Sequence, residues 1–147
     1  MTEDMRVIDD AIKRTLIKMN RYSDAANTVL LMIAAHESMG GKYRKQINGP
    51  ALGVFQIEPT THDSIWDNCD SITRLANKCG FTRDVSQLAT NDDYAVFVAR
   101  CYLLMDVNPM PTGIDAMASY CKSYWNRTGK ASPSAYMADY SRYVIRS

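Results

Sequence analysis

Apolar residues recur at helical spacing along most of the chain, punctuated by polar and glycine-rich stretches. Met5, Ile8, Ile12, Leu16 and Met19 share one face of a 3.6-residue period and predict a first helix ending near Tyr22. Ser23 is suited to cap a second helix from Asp24 to Met39, which Gly40 and Gly41 stop. Ala25, Ala26, Val29, Leu30, Ile33 and Ala34 make that helix apolar on nearly every side, which predicts a central, buried element. Residues 42–52 read as a loop turning at Asn48-Gly49-Pro50, and Val54-Phe55-Gln56-Ile57 as an extended piece or a tight turn. Pro59 opens a helix through Trp66, and Ser71 to Lys78 form a short one closed by Gly80. Asn91 caps another, with Tyr94, Phe97, Val98, Cys101 and Leu104 on one face, and Pro109 and Pro111 break it. Asp115 to Trp125 is helical again, and Ser132-Pro133 starts a last helix through Arg146. The pattern holds no repeat, linker or low-complexity tract. The expectation is a mainly α chain: one domain over residues 1–147, with about seven helices and a small extended or loop segment around residues 42–58.

Composition narrows this picture. The 147 residues are 46% hydrophobic, enough for a core of one domain. A net charge of +1 gives no strong field, so nucleic acid is not an expected partner. Lys13, Arg14, Lys18 and Arg21 lie late in a helix that begins with Glu3 and Asp4, an order that complements the helix dipole. The acidic opening Met1-Thr2-Glu3-Asp4 does not read as a secretory signal, and the apolar run from Val29 to Ala35 is too short to span a bilayer. A chain made and folded in a cytoplasm, without an integral membrane segment, is therefore expected. Cys69, Cys79, Cys101 and Cys121 show neither C-x-x-C spacing nor a histidine at ligand distance, so no metal and no cofactor is expected. Free, mostly buried thiols are the simplest reading, while the even count leaves disulfides open.

The chemistry concentrates in two segments. Glu37-Ser38 ends the most apolar helix, just before a glycine pair that lets the backbone leave sharply. Across the following loop lies Gly53-Val54-Phe55-Gln56-Ile57-Glu58-Pro59-Thr60-Thr61. A partly desolvated carboxyl keeps its proton near neutral pH, as a general acid must. Gln56 offers a paired donor and acceptor, and Gly53 reads either as a turn glycine or as a site of close backbone approach to a ligand. Glu58 reads either as a second working carboxylate or as a helix N-terminal acid favoured by the dipole. His62 reads as a helix-surface or hydrogen-bonding residue, and Asp63 and Asp67 as solvated charges.

These segments resemble the lysozyme-like lytic transglycosylases, whose pattern runs Glu-Ser, a loop, then Gly-Leu-Met-Gln-(Ile/Val)-x-Pro-x-Thr. Gln56-Ile57-Glu58 followed by His62 is also similar to the goose-type lysozymes, which carry Gln-Val-Asp and then a histidine. The resemblance covers roughly Asp24 to Asn126. It implies a lysozyme-like fold and cleavage of peptidoglycan between N-acetylmuramic acid and N-acetylglucosamine. Glu37 would be the general acid, and in a transglycosylase also the base. Glu58 would hold a water if the reaction is hydrolysis. Ser38, Gly53 and Gln56 would support the acid or line the cleft. The family's Ala-Tyr-Asn-Ala-Gly motif is matched only in part by Ala118-Ser119-Tyr120-Cys121-Lys122. Tyr120 would hydrogen-bond near the acid, and Tyr124-Trp125-Asn126 competes for the place, with Tyr124 and Asn126 as sugar contacts. The implied partner is the peptidoglycan glycan strand, acted on by a monomer. The implied setting is a bacteriophage lysin, either waiting in the host cytoplasm for a holin before reaching the periplasmic wall, or carried in the virion. The alternative is an inactive lysozyme-like module that binds glycan or builds the virion.

Overall fold

The structure, a computed structural model, describes residues 1–46 and 48–146, and among them the chain is mainly α with no strand. Helix α1 spans Glu3–Met19; Thr2 caps it by accepting from the Met5 N–H at 3.2 Å. It stops short of Tyr22 because Asn20 adopts a left-handed conformation with φ 57° and its N–H closes on Leu16 and Ile17. The five residues of its predicted stripe are fully buried. Helix α2, Asp24–Glu37, is capped by Ser23, and every residue from Val29 to Ala35 is buried, as the all-round apolar pattern requires.

The remaining helices are α3 (Pro59–Asn68), α4 (Ile72–Cys79), α5 (Gln87–Thr90), α6 (Asp92–Leu104), α7 (Ile114–Tyr120) and α8 (Pro133–Tyr140). The short α5 has no counterpart in the sequence pattern. Both α7 and α8 widen into π-helical turns, at Cys121–Trp125 and Ser141–Ile145. A single predicted helix over 115–125 is thus α followed by π, which rotates Tyr124 and Trp125 relative to an unbroken α-helix.

Helix α1 packs on α6 and on α2, and α2 packs on α8 as well, so α2 lies at the centre. Each fully buried Leu, Ile, Val or Met in this core contributes roughly 1.5–3 kcal/mol through the area it removes from water. All four cysteines are free thiols; Cys69, Cys101 and Cys121 are buried and Cys79 half-buried. Among the described residues, no helix is long and apolar enough to cross a membrane. Among the described residues, no group of His, Cys, Asp or Glu side chains could hold a metal ion.

Candidate active site

Glu37 is the last residue of α2, so a helix rooted in the core delivers it to the surface. The helix ends two residues before the expected Met39. The Ser38 hydroxyl donates back to the Ala34 carbonyl at 2.6 Å and accepts from the Gly41 N–H at 2.8 Å. Met39, Gly40 and Gly41 then all take positive φ, turning the chain away. Ser38 is completely buried and fully used by this cap. It fixes the helix end under Glu37, so of the two places expected for it, supporting the acid and lining the cleft as a substrate contact, only the first fits and the second is corrected.

Glu37 lines an open cleft of about 710 Å³ together with His36, Gln56, Glu58, Tyr102, Tyr124 and Trp125. Burial raises its pKa above the ordinary carboxyl value, against smaller opposing effects from the charge of His36 and a hydrogen bond from Tyr136. The Tyr136 hydroxyl donates to Glu37 Oε1 at 3.2 Å. Tyr136 is itself fully buried, with its ring 4.3 Å from that of His36. His36 Nδ1 in turn pairs with Asp139 Oδ2 at 2.8 Å. Residues 136 and 139, one turn apart on α8, therefore hold both side chains at the end of α2. Cys121 belongs to the same cluster: burial first, and the Glu37 charge second, push its thiol up to about 12.

The second segment forms a tight loop that borders the cleft Glu37 lines. Leu52 and Ile57 exchange both backbone hydrogen bonds at 3.0 Å, and Lys45 bridges to Leu52. Gln56 sits at φ 51°, unusual for a side-chain-bearing residue, and its Nε2 donates to the Gly53 carbonyl at 3.0 Å. That bond leaves Gln56 Oε1 as an acceptor on the cleft wall. Gly53 is different. It is buried, with φ 77°, and a Cβ there would lie 2.0 Å from the Leu88 carbonyl oxygen. The close approach it permits is that of α5, not of a ligand, and the substrate-contact role expected for it is corrected. Glu58 is exposed at the N-terminus of α3, makes no side-chain cap, and borders the cleft.

An aromatic wall borders the same cleft. Tyr102 is 4.8 Å from Tyr124 and 5.4 Å from Trp125, ring to ring, and Trp125 leans on buried Phe55 at 6.3 Å. The Tyr124 hydroxyl donates to the Tyr102 carbonyl at 2.6 Å. Tyr124 therefore presents its ring and not its hydroxyl, whose pKa burial pushes up to about 12. Asn126 borders the cleft, but its Oδ1 accepts from the Ala131 N–H at 3.3 Å and so organises the following turn. Tyr120 does not meet the acid. It stacks on Tyr124 at 5.4 Å and lines a separate cavity of about 520 Å³ with Asp106, Pro109 and Pro111. Tyr136, from the last helix, takes the role expected of Tyr120.

His62 is fully buried, not on a helix surface. The Tyr94 hydroxyl accepts from Trp66 Nε1 at 2.9 Å and from the Asp84 N–H at 3.1 Å, which fills its two lone pairs. Its own proton must then go to His62 Nε2 at 2.6 Å, so the ring carries its hydrogen on Nδ1 and donates it to Asp63 at 3.0 Å. That bond from His62, followed by those from Arg83, holds the Asp63 carboxyl below its usual range. Asp63 and Asp67 pair with Arg83 at 3.4 and 2.9 Å, so neither is a simple solvated charge. His62 is a hydrogen-bonded core residue.

The sequence thus brings Glu37, Gln56, Glu58, Tyr124 and Asn126 to one cleft, and Ser38, Gly53 and Tyr120 elsewhere. It gave no signal for Tyr136, His36 or Asp139, which meet only through packing of α8 on α2. Trp125 was visible only as part of Tyr124-Trp125-Asn126 beside the partly matched motif, and Tyr102 joins it here through the aromatic wall. No protein-family model, curated protein or solved structure matches the chain.

Proposed function

We propose that this chain cleaves the glycan strands of peptidoglycan between N-acetylmuramic acid and N-acetylglucosamine, with Glu37 as general acid. The observation that carries the proposal is a carboxyl held above its ordinary pKa by burial, at the edge of an open cleft with an aromatic wall. Glycosidic cleavage needs a proton on the leaving oxygen as positive charge develops at the anomeric carbon. A protonated Glu37 supplies it. The carboxylate left behind accepts a hydrogen bond from Tyr136, which favours the charged product state of the side chain. Flat rings such as Tyr102, Tyr124 and Trp125 suit the apolar faces of sugar rings.

Two outcomes follow from the charged Glu37. As a base it takes the proton of the sugar's own 6-hydroxyl, which closes an anhydro ring. Alternatively, a water oriented by Glu58 attacks from the opposite face and leaves a reducing end. The presence of Glu58 on the same cleft favours hydrolysis, whereas the Glu37-Ser38 and Gly53–Gln56 resemblance favours the transglycosylase. A bacteriophage setting, as a lysin freed into the host or carried in the virion, goes with the same resemblance.

The test is the Glu37→Gln variant, which keeps shape and removes the proton. Lysis of peptidoglycan suspensions is expected to fall by roughly a factor of 10² to 10⁴, the range of a lost general acid. Clearing at the wild-type rate would end the assignment.

A further inference from the structure

Arg127 lines the cleft directly after the aromatic wall, and among the described lining residues it is the one lysine or arginine. Its acidic companions there are Glu37 and Glu58. Arg14, Arg44 and Arg83 are each tied to an aspartate, but Arg127 is exposed and has no ion-pair partner among the described residues. The turn that presents it is nonetheless well fixed. Lys122 Nζ donates to the Asn126 carbonyl at 3.1 Å and to the Gly129 carbonyl at 2.6 Å. The Gly129 N–H closes on the Asn126 carbonyl at 3.2 Å, while the Asn126 side chain binds Ala131. A Cβ at residue 129 would lie 2.3 Å from Asn126 Oδ1, so a side chain there would have to displace the Asn126 amide that organises the turn. An unpaired guanidinium is therefore displayed from an ordered backbone onto a cleft whose other charged side chains are Glu37, Glu58 and His36, the last of them tied to Asp139.

We infer that Arg127 recognises a carboxylate of the bound glycan and so selects acidic glycan strands over neutral ones. The inference rests on the glycosidase reading and specifies its substrate. A polymer of N-acetylglucosamine alone has no acidic group. N-acetylmuramic acid adds a lactyl carboxylate, free in stripped strands and joined to peptides with their own carboxylates in intact ones. A guanidinium fork matches either carboxylate with two parallel hydrogen bonds, which an ammonium cannot do as well. It also offsets the repulsion such a ligand meets from Glu58.

The experiment compares wild type, Arg127→Gln and Arg127→Lys on three substrates of equal length. These are peptide-bearing glycan strands, strands stripped of peptide, and chito-oligosaccharide. The ratio of kcat/KM for acidic over neutral glycan is expected to fall roughly five- to ten-fold in Arg127→Gln, through KM, with partial recovery in Arg127→Lys. Added salt should lower the wild-type ratio and leave that of Arg127→Gln nearly flat. A loss confined to stripped strands assigns the lactyl carboxylate, and one confined to peptide-bearing strands the peptide carboxylates. An unchanged ratio overturns the inference. If wild type turns over none of the three, the glycosidase reading fails. Calorimetric binding of the same glycans to wild type and Arg127→Gln then decides the carboxylate site on its own: a binding ratio lowered by the substitution supports it, and an unchanged one overturns it.

Discussion

Replacing Gly53 by alanine separates an architectural role from a ligand-contact role at the loop that borders the cleft Glu37 lines. Residue 53 holds φ 77°, where an L side chain costs roughly 1–2 kcal/mol. The added Cβ would stand 2.0 Å from the Leu88 carbonyl oxygen and 2.9 Å from its carbon, and both are backbone atoms. No rotamer change relieves that overlap, so α5 or the loop must shift, at a typical overpacking cost of about 1–3 kcal/mol. The Gly53 carbonyl also accepts from the N–H and from Nε2 of Gln56, so any shift of the loop disturbs Gln56. The sum is about 2–5 kcal/mol of lost stability. At about 2–4 °C per kcal/mol for a chain of this size, thermal unfolding should move down by roughly 4–20 °C. Circular dichroism melts, with urea titrations to check that the m-value is unchanged, read it directly. A melting temperature within about 2 °C of wild type, combined with a raised KM for glycan, would refute the packing argument and return Gly53 to the ligand.

Other consequences can be measured in parallel. Tyr136→Phe removes a donor that favours the ionised form of Glu37, so the acid holds its proton more tightly; the alkaline limb of the kcat/KM profile should move up in pH, and a downward move would contradict the geometry. Because burial raises the Glu37 pKa in the folded state, the native protein binds more protons than the unfolded chain as pH rises from the ordinary carboxyl range through the folded value. Stability falls across that window, so Glu37→Gln should match wild type in acid and exceed it at neutral pH; a neutral-pH melt lower than wild type would deny the desolvation. Glu58→Gln should cripple a hydrolase and spare a transglycosylase, so full activity with a reducing product would remove Glu58 from the mechanism. Tyr94→Phe orphans His62 Nε2, Trp66 Nε1 and the Asp84 N–H, and should cost about 2–4 kcal/mol in urea unfolding.

The fold was legible where burial follows local period. The stripe of α1 and the all-round apolarity of α2 placed both helices correctly, because a helix's buried face is written in residues three and four apart. Helix ends were less legible. Asn20 and Met39 adopt left-handed conformations that composition does not announce, and Ser38 spends its hydroxyl on a cap. At the site, the sequence-adjacent parts were found: Glu37 at a helix end, and Gln56 and Glu58 in one loop. What was missed lies far away along the chain. Tyr136 reaches Glu37 across 99 residues, and Asp139 reaches His36 across 103. In sequence both look like ordinary residues of a last helix, and only the packing of α8 on α2 gives them a role. Tyr120 failed for a related reason: the packing of α7 turns it toward Tyr124 and another cavity, while its neighbour Cys121 lies near the acid.

The central claim is that Glu37 protonates a glycosidic bond of peptidoglycan. Mass spectrometry of fragments released from purified sacculi, by wild type and by Glu37→Gln side by side, tests it most directly. The account predicts disaccharide-peptides from wild type, as reducing species for hydrolysis or one water lighter for transglycosylation, and none from the variant. Fragments cut at amide bonds, equal release by Glu37→Gln, or no release from any wall type would contradict it.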